Sequence, residues 1–259
     1  MLSRELPVSG LEVRIEAPTG VEDLLLQEVR ALDTRLMFHL FENLVTVAKH
    51  ISPKWAELTV TDLETLLLLL RLETLGDLVR AETHCVSTNC GARADVTFRI
   101  EEYLASRTPR IPRGVEKISG TNTYSLSGEG VRFRAPNGDD LEVIERKSIG
   151  MREVLQRCVQ PAGISARVRR RVDRAMAAVA PRFSQVMRGE CPECHVSMNV
   201  YFDVRQFVLR ELRDHARTVL EDVHLLAFHY QWPEKDILAL PRQRRLHYAN
   251  ALRGQWSAI

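Results

Sequence analysis

The chain has 259 residues, 45% hydrophobic and 27% charged, with 36 Lys and Arg against 34 Asp and Glu. That composition builds a real core and excludes a disordered chain, and a formal charge of +2 is too small to point to nucleic acid by itself. The greasiest run, Leu66 to Leu70, is closed by Arg71 and is too short to span a bilayer. Met1 to Pro7 lacks the apolar core of a signal peptide, so no membrane partner and a cytoplasmic location are expected.

In chain order, Leu11–Glu16 alternates apolar and charged residues, the period of a half-buried strand. Ala17-Pro18-Thr19-Gly20 ends it, because Pro18 has no N–H for a ladder. Thr19 is placed to cap a helix starting near Val21, with Glu22 and Asp23 at its positive end. A second helix is expected through Leu36, Leu40, Leu44 and Val47 to His50. Thr61 reads as the next N-cap, with Glu64 three residues on as in a capping box. It opens a leucine-rich helix over Asp62–Leu75 that belongs in the core. Asp77–Glu82 has strand character.

Two cysteine stretches follow, about a hundred residues apart. The first is His84-Cys85-Val86-Ser87-Thr88-Asn89-Cys90-Gly91, and the second is Gly189-Glu190-Cys191-Pro192-Glu193-Cys194-His195. Each leads into an alternating run, Asp95–Ile100 or Val196–Phe202. Two thiols around a tight turn before a strand make half of a zinc ribbon. Two halves make a four-thiolate tetrahedral site, closed to water and therefore structural. The expected zinc ligands are Cys85, Cys90, Cys191 and Cys194. His84 and His195 stay open as replacements for one thiolate, since imidazole also binds zinc. Four of five cysteines in such pairs argue for a reducing compartment over a disulfide framework. Cys158 stands alone in a helical stretch and reads as core. Structural zinc supplies on the order of 10–16 kcal/mol in small peptides, against a net domain stability of about 5–15 kcal/mol. Loss of the metal is therefore expected to unfold the ribbon and free the helix after it from the leucine-rich helix.

Between the cysteine pairs, Ser119–Gly130 is rich in Gly, Ser, Thr and Asn and reads as a mobile tip or hairpin turn. Removal of Lys117–Glu129 is expected to leave the fold intact. Gly130–Leu141 resembles the segment Val13–Leu24: each reads as strand, Ala-Pro stop, polar-Gly turn and acidic helix start. Such turn chemistry also arises by chance. Met151–Val159 and Ser165–Ala180 look helical. The second carries Arg167, Arg169, Arg170, Arg171 and Arg174, a solvated helix face or a surface for an acidic partner or nucleic acid. Asp203 is placed to cap one long helix from Val204 to about His229. Pro233 suits a first helical position, and Leu240-Pro241 opens a last helix.

The expected fold is α+β: a helical protein built around a split zinc ribbon, with an inserted β-hairpin and helical arm. Residues 1–54 form an N-terminal strand-turn-helix region. Residues 55–100 and 189–259 form the ribbon and helical core, and 101–188 the inserted subdomain. The chain has no P-loop, no Gly-Ser elbow and no His-Glu-x-x-His, and an enzyme is not expected.

The order Trp55-x-x-Leu58, Thr61-Asp62-Leu63, Leu66–Arg71, cysteine pair, arm, cysteine pair and long helix carries a resemblance. It continues through His224-x-x-Ala227-x-x-Tyr230-x-Trp232-x-x-x-Asp236-Ile237-Leu238-x-Leu240-Pro241-x-x-x-Arg245-x-x-Tyr248. This pattern resembles the baseplate-hub family of contractile-tailed bacteriophages and related phage-tail-like injection systems. The resemblance covers most of Trp55–Leu252 and leaves out the N-terminal unit and the arm. It implies a structural or assembly role in a baseplate or hub. The implied partners are other tail proteins, without catalysis; self-association is a further expectation of the residues, and nucleic acid is not an expected partner. The other reading of the residues is a zinc-ribbon nucleic-acid-binding protein.

Overall fold

The computed structural model describes residues 2–48, 53–119 and 121–256. Strands β1 (Leu2–Glu5), β2 (Glu12–Ile15) and β3 (Val45–Val47) form an antiparallel sheet in that order. Along β2 the alternation is realised, with Val13 and Ile15 buried and Glu12 and Arg14 facing water. Helices α1 (Gly20–Glu28) and α2 (Thr34–Leu44) lie between β2 and β3 in the chain. The second helix stops at Leu44 instead of continuing toward His50, which lies outside the described residues. Val45 and Val47 pair with Ile15 and Val13, as suits β-branched side chains.

Helix α3 (Val60–Leu75) is buried along its first three turns, including Leu66 to Leu70. Its N-cap is Thr59 rather than Thr61: the Thr59 hydroxyl accepts the Asp62 N–H at 3.2 Å. Glu64 is thereby released from capping, and both acids serve distant backbone. Asp62 accepts the N–H groups of Val8 (2.9 Å) and Ser9 (3.0 Å). Glu64 accepts those of Phe183 (2.6 Å) and Ser184 (3.2 Å). Burial holds both carboxyls above the ordinary range, with these hydrogen bonds opposing it.

Strands β4 (Leu78–His84) and β5 (Arg93–Arg99) form a hairpin, followed by the short α4 (Ile100–Ala105). Next come β6 (Val115–Lys117), β7 (Thr123–Leu126), β8 (Val131–Arg134), α5 (Gly138–Lys147), α6 (Met151–Arg157), β9 (Val159–Gln160) and α7 (Ala166–Val179). Strands β6 to β9 make a four-stranded antiparallel sheet in chain order, and α7 packs on it. Part of the stretch read as a mobile tip is thus an inner strand. Tyr124 and Leu126 of β7 are buried, and Tyr124 stacks on Phe133. Deleting Lys117–Glu129 would remove core side chains, contrary to the sequence expectation.

Strands β10 (Gln185–Glu190) and β11 (Ser197–Phe202) form a second hairpin. Asp203 caps the following helix as expected, accepting the Gln206 N–H. The expected single long helix is instead two, α8 (Val204–His215) and α9 (Val219–Tyr230). The break at buried Ala216, whose N–H bonds to the Leu212 and Arg213 carbonyls, turns α9 toward α1. Pro233 is the N-cap of α10 (Glu234–Leu238), and α11 (Arg242–Trp256) follows. The main core joins α1, α2, α3, α8 and the first sheet, while a second cluster fills the β6–β9 sheet beneath α7. No helix among the described residues is long and apolar enough to cross a membrane.

The suspected repeat has a structural counterpart. Both units are capping boxes, Thr19 with Glu22 and Asn137 with Asp140. Each turn makes an isolated antiparallel bridge to a segment that starts another helix, Thr19 with Pro241 and Asn137 with Thr59. The Pro18 carbonyl accepts the Arg242 N–H at 3.0 Å, and the Pro136 carbonyl accepts the Val60 N–H at 2.9 Å. Each glycine lies against crossing backbone. A Cβ on Gly20 would stand 2.8 Å from the Leu238 Cα, and one on Gly138 would stand 2.8 Å from the Ala56 Cα. In the first clamp, Asp23 also binds Arg242 and Arg245, and Asp222 binds Arg245 and Arg253. This buried network fastens α9 and α11 to α1.

Gly138→Ala should cost about 1–3 kcal/mol by overpacking, whereas Gly189→Ala, where an added Cβ meets no heavy atom within 4 Å, should stay within about 0.5 kcal/mol; urea unfolding compares them. Glu64 supplies a second check. Its raised folded pKa means that folding takes up a proton between the unfolded and folded values. Its contribution to stability is therefore greatest below the unfolded pKa and declines as pH rises through the folded one. Glu64→Gln should remove that decline from the stability–pH curve, and an unchanged curve would contradict the assignment.

Candidate metal centre

The cysteine turns sit at the tips of the β4–β5 and β10–β11 hairpins. The first turn is closed by the Cys85 N–H to the Ala92 carbonyl (2.8 Å) and the Cys90 N–H to the Ser87 carbonyl (3.1 Å). The second is closed by the Cys191 N–H to the Val196 carbonyl and the His195 N–H to the Cys191 carbonyl, both 3.0 Å. In each turn the residue after the second cysteine is left-handed: Gly91 at φ 59° and His195 at φ 58°. Glycine adopts that conformation freely and histidine at some cost, so His195 has a backbone role in its turn.

The two tips face each other. The sulfurs of Cys85, Cys90, Cys191 and Cys194 all lie within 4.8 Å of one another. Across the tips, the Cys85–Cys194 separation is 3.5 Å and the Cys90–Cys191 separation is 3.8 Å. Four thiolates around one ion at bonds of about 2.3 Å stand about 3.8 Å apart. The four cysteines can therefore hold a metal ion. Neither His84 nor His195 belongs to the group. Cys85 and Cys191 are buried, Cys90 is half-buried and Cys194 is exposed. Ala94 and Met198 close an apolar patch around them, a contribution that the spacing of the cysteines did not disclose.

Without an ion the thiols do not ionise alike. The N–H groups of Cys194 and Glu193 point at the Cys191 sulfur and bring its pKa down to about 7. For Cys85 the Ser87 N–H favours the thiolate, but burial and the neighbouring thiols outweigh it and push the pKa up to about 12. Cys90 is raised similarly, burial and the Cys194 and Cys191 thiols outweighing the Ala92 N–H. A cation supplies the charge that lets all four become thiolates together.

The fifth thiol lies elsewhere. Cys158 is buried in the second cluster with its sulfur 3.7 Å from Asp140. Burial first, and Asp140 second, push its pKa up to about 11.

The hairpins hold differently at their two ends. Toward the tip, Arg80, Glu82 and His84 of β4 are exposed, and a two-stranded hairpin is marginal alone. At the base, Phe98, Tyr103 and Phe202 pack with ring centroids 5.0, 5.3 and 6.1 Å apart. There Val204, Val208 and Leu209 join α3 in the main core. The expectation that metal loss frees the following helix from the leucine-rich one is therefore narrowed to the tips. Comparison of the chain with protein-family models, curated proteins and solved structures returns no significant match.

Cys85→Ser and Cys191→Ser should each abolish stoichiometric metal binding and speed amide exchange in the outer strands, with α3 and α8 still protected. Cys158→Ser should retain the metal and cost about 1 kcal/mol in packing. Metal analysis and hydrogen exchange on the three variants check this, and metal loss in Cys158→Ser would overturn the ligand set. In the wild type, affinity should fall throughout the neutral range as pH drops, because Cys85 and Cys90 must lose protons to bind, and more steeply below about 7, where Cys191 takes up a proton as well.

Proposed function

We propose that this chain is a structural or assembly protein of the baseplate or hub of a contractile phage tail or phage-tail-like injection system. In this reading it is non-catalytic and is stabilised by a structural zinc on Cys85, Cys90, Cys191 and Cys194. Zinc is the metal of choice because four thiolates at tetrahedral spacing form a closed site for a soft-tolerant, redox-inert ion. Such a site leaves no coordination position for a substrate.

The observation that carries the structural role is where the residues of the family-like pattern go. Tyr230 stacks on Trp232 with ring centroids 4.9 Å apart, and Tyr248 meets Trp232 edge to face at 5.3 Å. Ile237 is fully buried, and Arg245 is spent on Asp23 and Asp222 inside the chain. Trp55, Leu58, Thr61, Asp62, Leu63 and Leu66–Arg71 are likewise buried. Of the pattern, His224, Tyr230 and Asp236 are exposed, but a motif most of whose members serve internal packing maintains a shape, and a shape is what an assembly component offers its neighbours. The partners of this reading are other baseplate or tail proteins and further copies of the chain, met in the cytoplasm during assembly.

Sulfur-edge and metal-edge absorption on the purified protein should report one zinc with four sulfur ligands per chain. Deletion of the gene should leave contractile particles absent or lacking a baseplate by electron microscopy. Restoration by wild type but not by Cys191→Ser would link the two results, and normal particles from the deletion strain would refute the tail reading.

A further inference from the structure

The small net charge of the chain hides a segregation. Residues 106–182 carry sixteen Lys and Arg against eight Asp and Glu, while residues 1–105 carry ten against seventeen. The basic stretch includes the β6–β9 sheet and α7, which share a hydrophobic cluster of their own. A net +8 is thus concentrated on one packed unit.

On α7 the charge is ordered. Val172, Ala175, Met176 and Val179 are buried on the sheet side. The outer side exposes Ala166, Arg167, Arg170, Asp173, Arg174 and Ala177. Arg167, Arg170 and Arg174 recur at i, i+3 and i+7, one line along the helix. None of them has a carboxylate partner among the described residues. The acids nearby are already committed, Asp173 to Arg169 at 3.5 Å and Glu129 to Arg171. Exposed Arg110 extends the line, because its N–H bonds to the Ala178 carbonyl at 2.8 Å, at the far end of the helix. At 1.5 Å per residue, positions 167 to 178 cover about 16 Å, the length of about five phosphates along one strand of a duplex.

We propose that the outer face of α7, with Arg167, Arg170, Arg174 and Arg110, is a docking surface for the phosphate backbone of double-stranded nucleic acid, without sequence preference. Two observations choose this occupant. An acidic protein would need apolar or aromatic contacts to build a desolvated interface centre, and this face offers none beyond alanine. A single strand would need exposed aromatic rings on which bases stack. The only aromatics in residues 106–182 are Tyr124 and Phe133, both buried. What remains is a row of guanidinium groups without carboxylate partners, Arg174 donating only its Nε–H to the Arg170 carbonyl at 3.3 Å, which suffices for phosphate contacts and for those alone. The surface is separate from the cysteine tips, and it stands or falls independently of the tail reading.

The probe is a 30-base-pair DNA duplex of arbitrary sequence, titrated with the full chain by fluorescence anisotropy. Three to four phosphate contacts give a slope of log K against log salt near −3, and so roughly a fifty- to hundredfold loss between 50 and 200 mM salt. The triple variant Arg167→Ala, Arg170→Ala, Arg174→Ala should bring the slope to about −1 or shallower. Circular dichroism and metal content should show that it remains folded. A control with equal charge loss elsewhere, Arg14→Ala, Arg30→Ala, Arg210→Ala, should bind as wild type does. No binding at 50 mM salt, or equal weakening by the control, would overturn the proposal. So would a preference for single-stranded DNA, or for poly-glutamate of matched charge.

Discussion

A helix without a free face has to bury its polar groups, and α3 turns that requirement into the wiring of the molecule. Asp62 holds the loop at Val8 and Ser9, and Glu64 holds the chain at Phe183 and Ser184. The Val60 N–H reaches Pro136, and Arg71 pairs with Glu211 of α8 at 3.0 Å. Four segments far apart in sequence are thereby fixed around one cylinder of leucines. Unpaired, those buried carboxylates and backbone N–H groups would each cost about 1–3 kcal/mol or more. The leucines supply the driving force, and the acids decide which backbone lies where.

The cysteine tips stand at the other extreme. They lie at the far end of hairpins whose strands of seven and six residues reach about 20 Å from the core. Few apolar contacts accompany them outward. Closing a loop of about a hundred residues costs only logarithmically more than closing a short one, and here α3 and α8 have already brought the hairpin bases together. An ion held by the four cysteines would therefore have only the last few residues of each turn to order. That division of labour separates the stability of the core from the integrity of the tips.

The gathering of the four cysteines was legible in the sequence because a site able to hold a metal ion imposes both residue type and spacing. The β2 alternation and the Asp203 cap were legible because one local interaction sets each. Thr59 was missed in favour of Thr61 because the choice between them rests on Pro136, which lies far along the chain. The break at Ala216 was missed for a similar reason: apolar periodicity continues through it, and the turn of α9 toward α1 is decided by Asp222 and Arg245. Strand β7 was hidden by its polar flanks, since burial of Tyr124 and Leu126 needs only two side chains. The left-handed residue at His195 carries no sequence signal, because glycine, the usual occupant, is absent there.

The duplicated clamps interlock in an order that bears on how the chain is made. Residues 12–28 are gripped by residues 238–245, whereas residues 131–147 are gripped by residues 56–60. A ribosome releasing the chain from its N-terminus delivers both halves of the inner clamp, residues 56–60 and 131–147, about ninety residues before the second half of the outer one. The outer clamp must wait for α10 and α11, with Gly20 and Asp23 uncovered meanwhile. Synthesis order therefore acts as a timer: the Gly20–Asp23 turn of the N-terminal helix stays open to solvent and chaperones until residues 238–245 emerge, and a chain cut short before them carries that unclosed turn as a mark of its truncation.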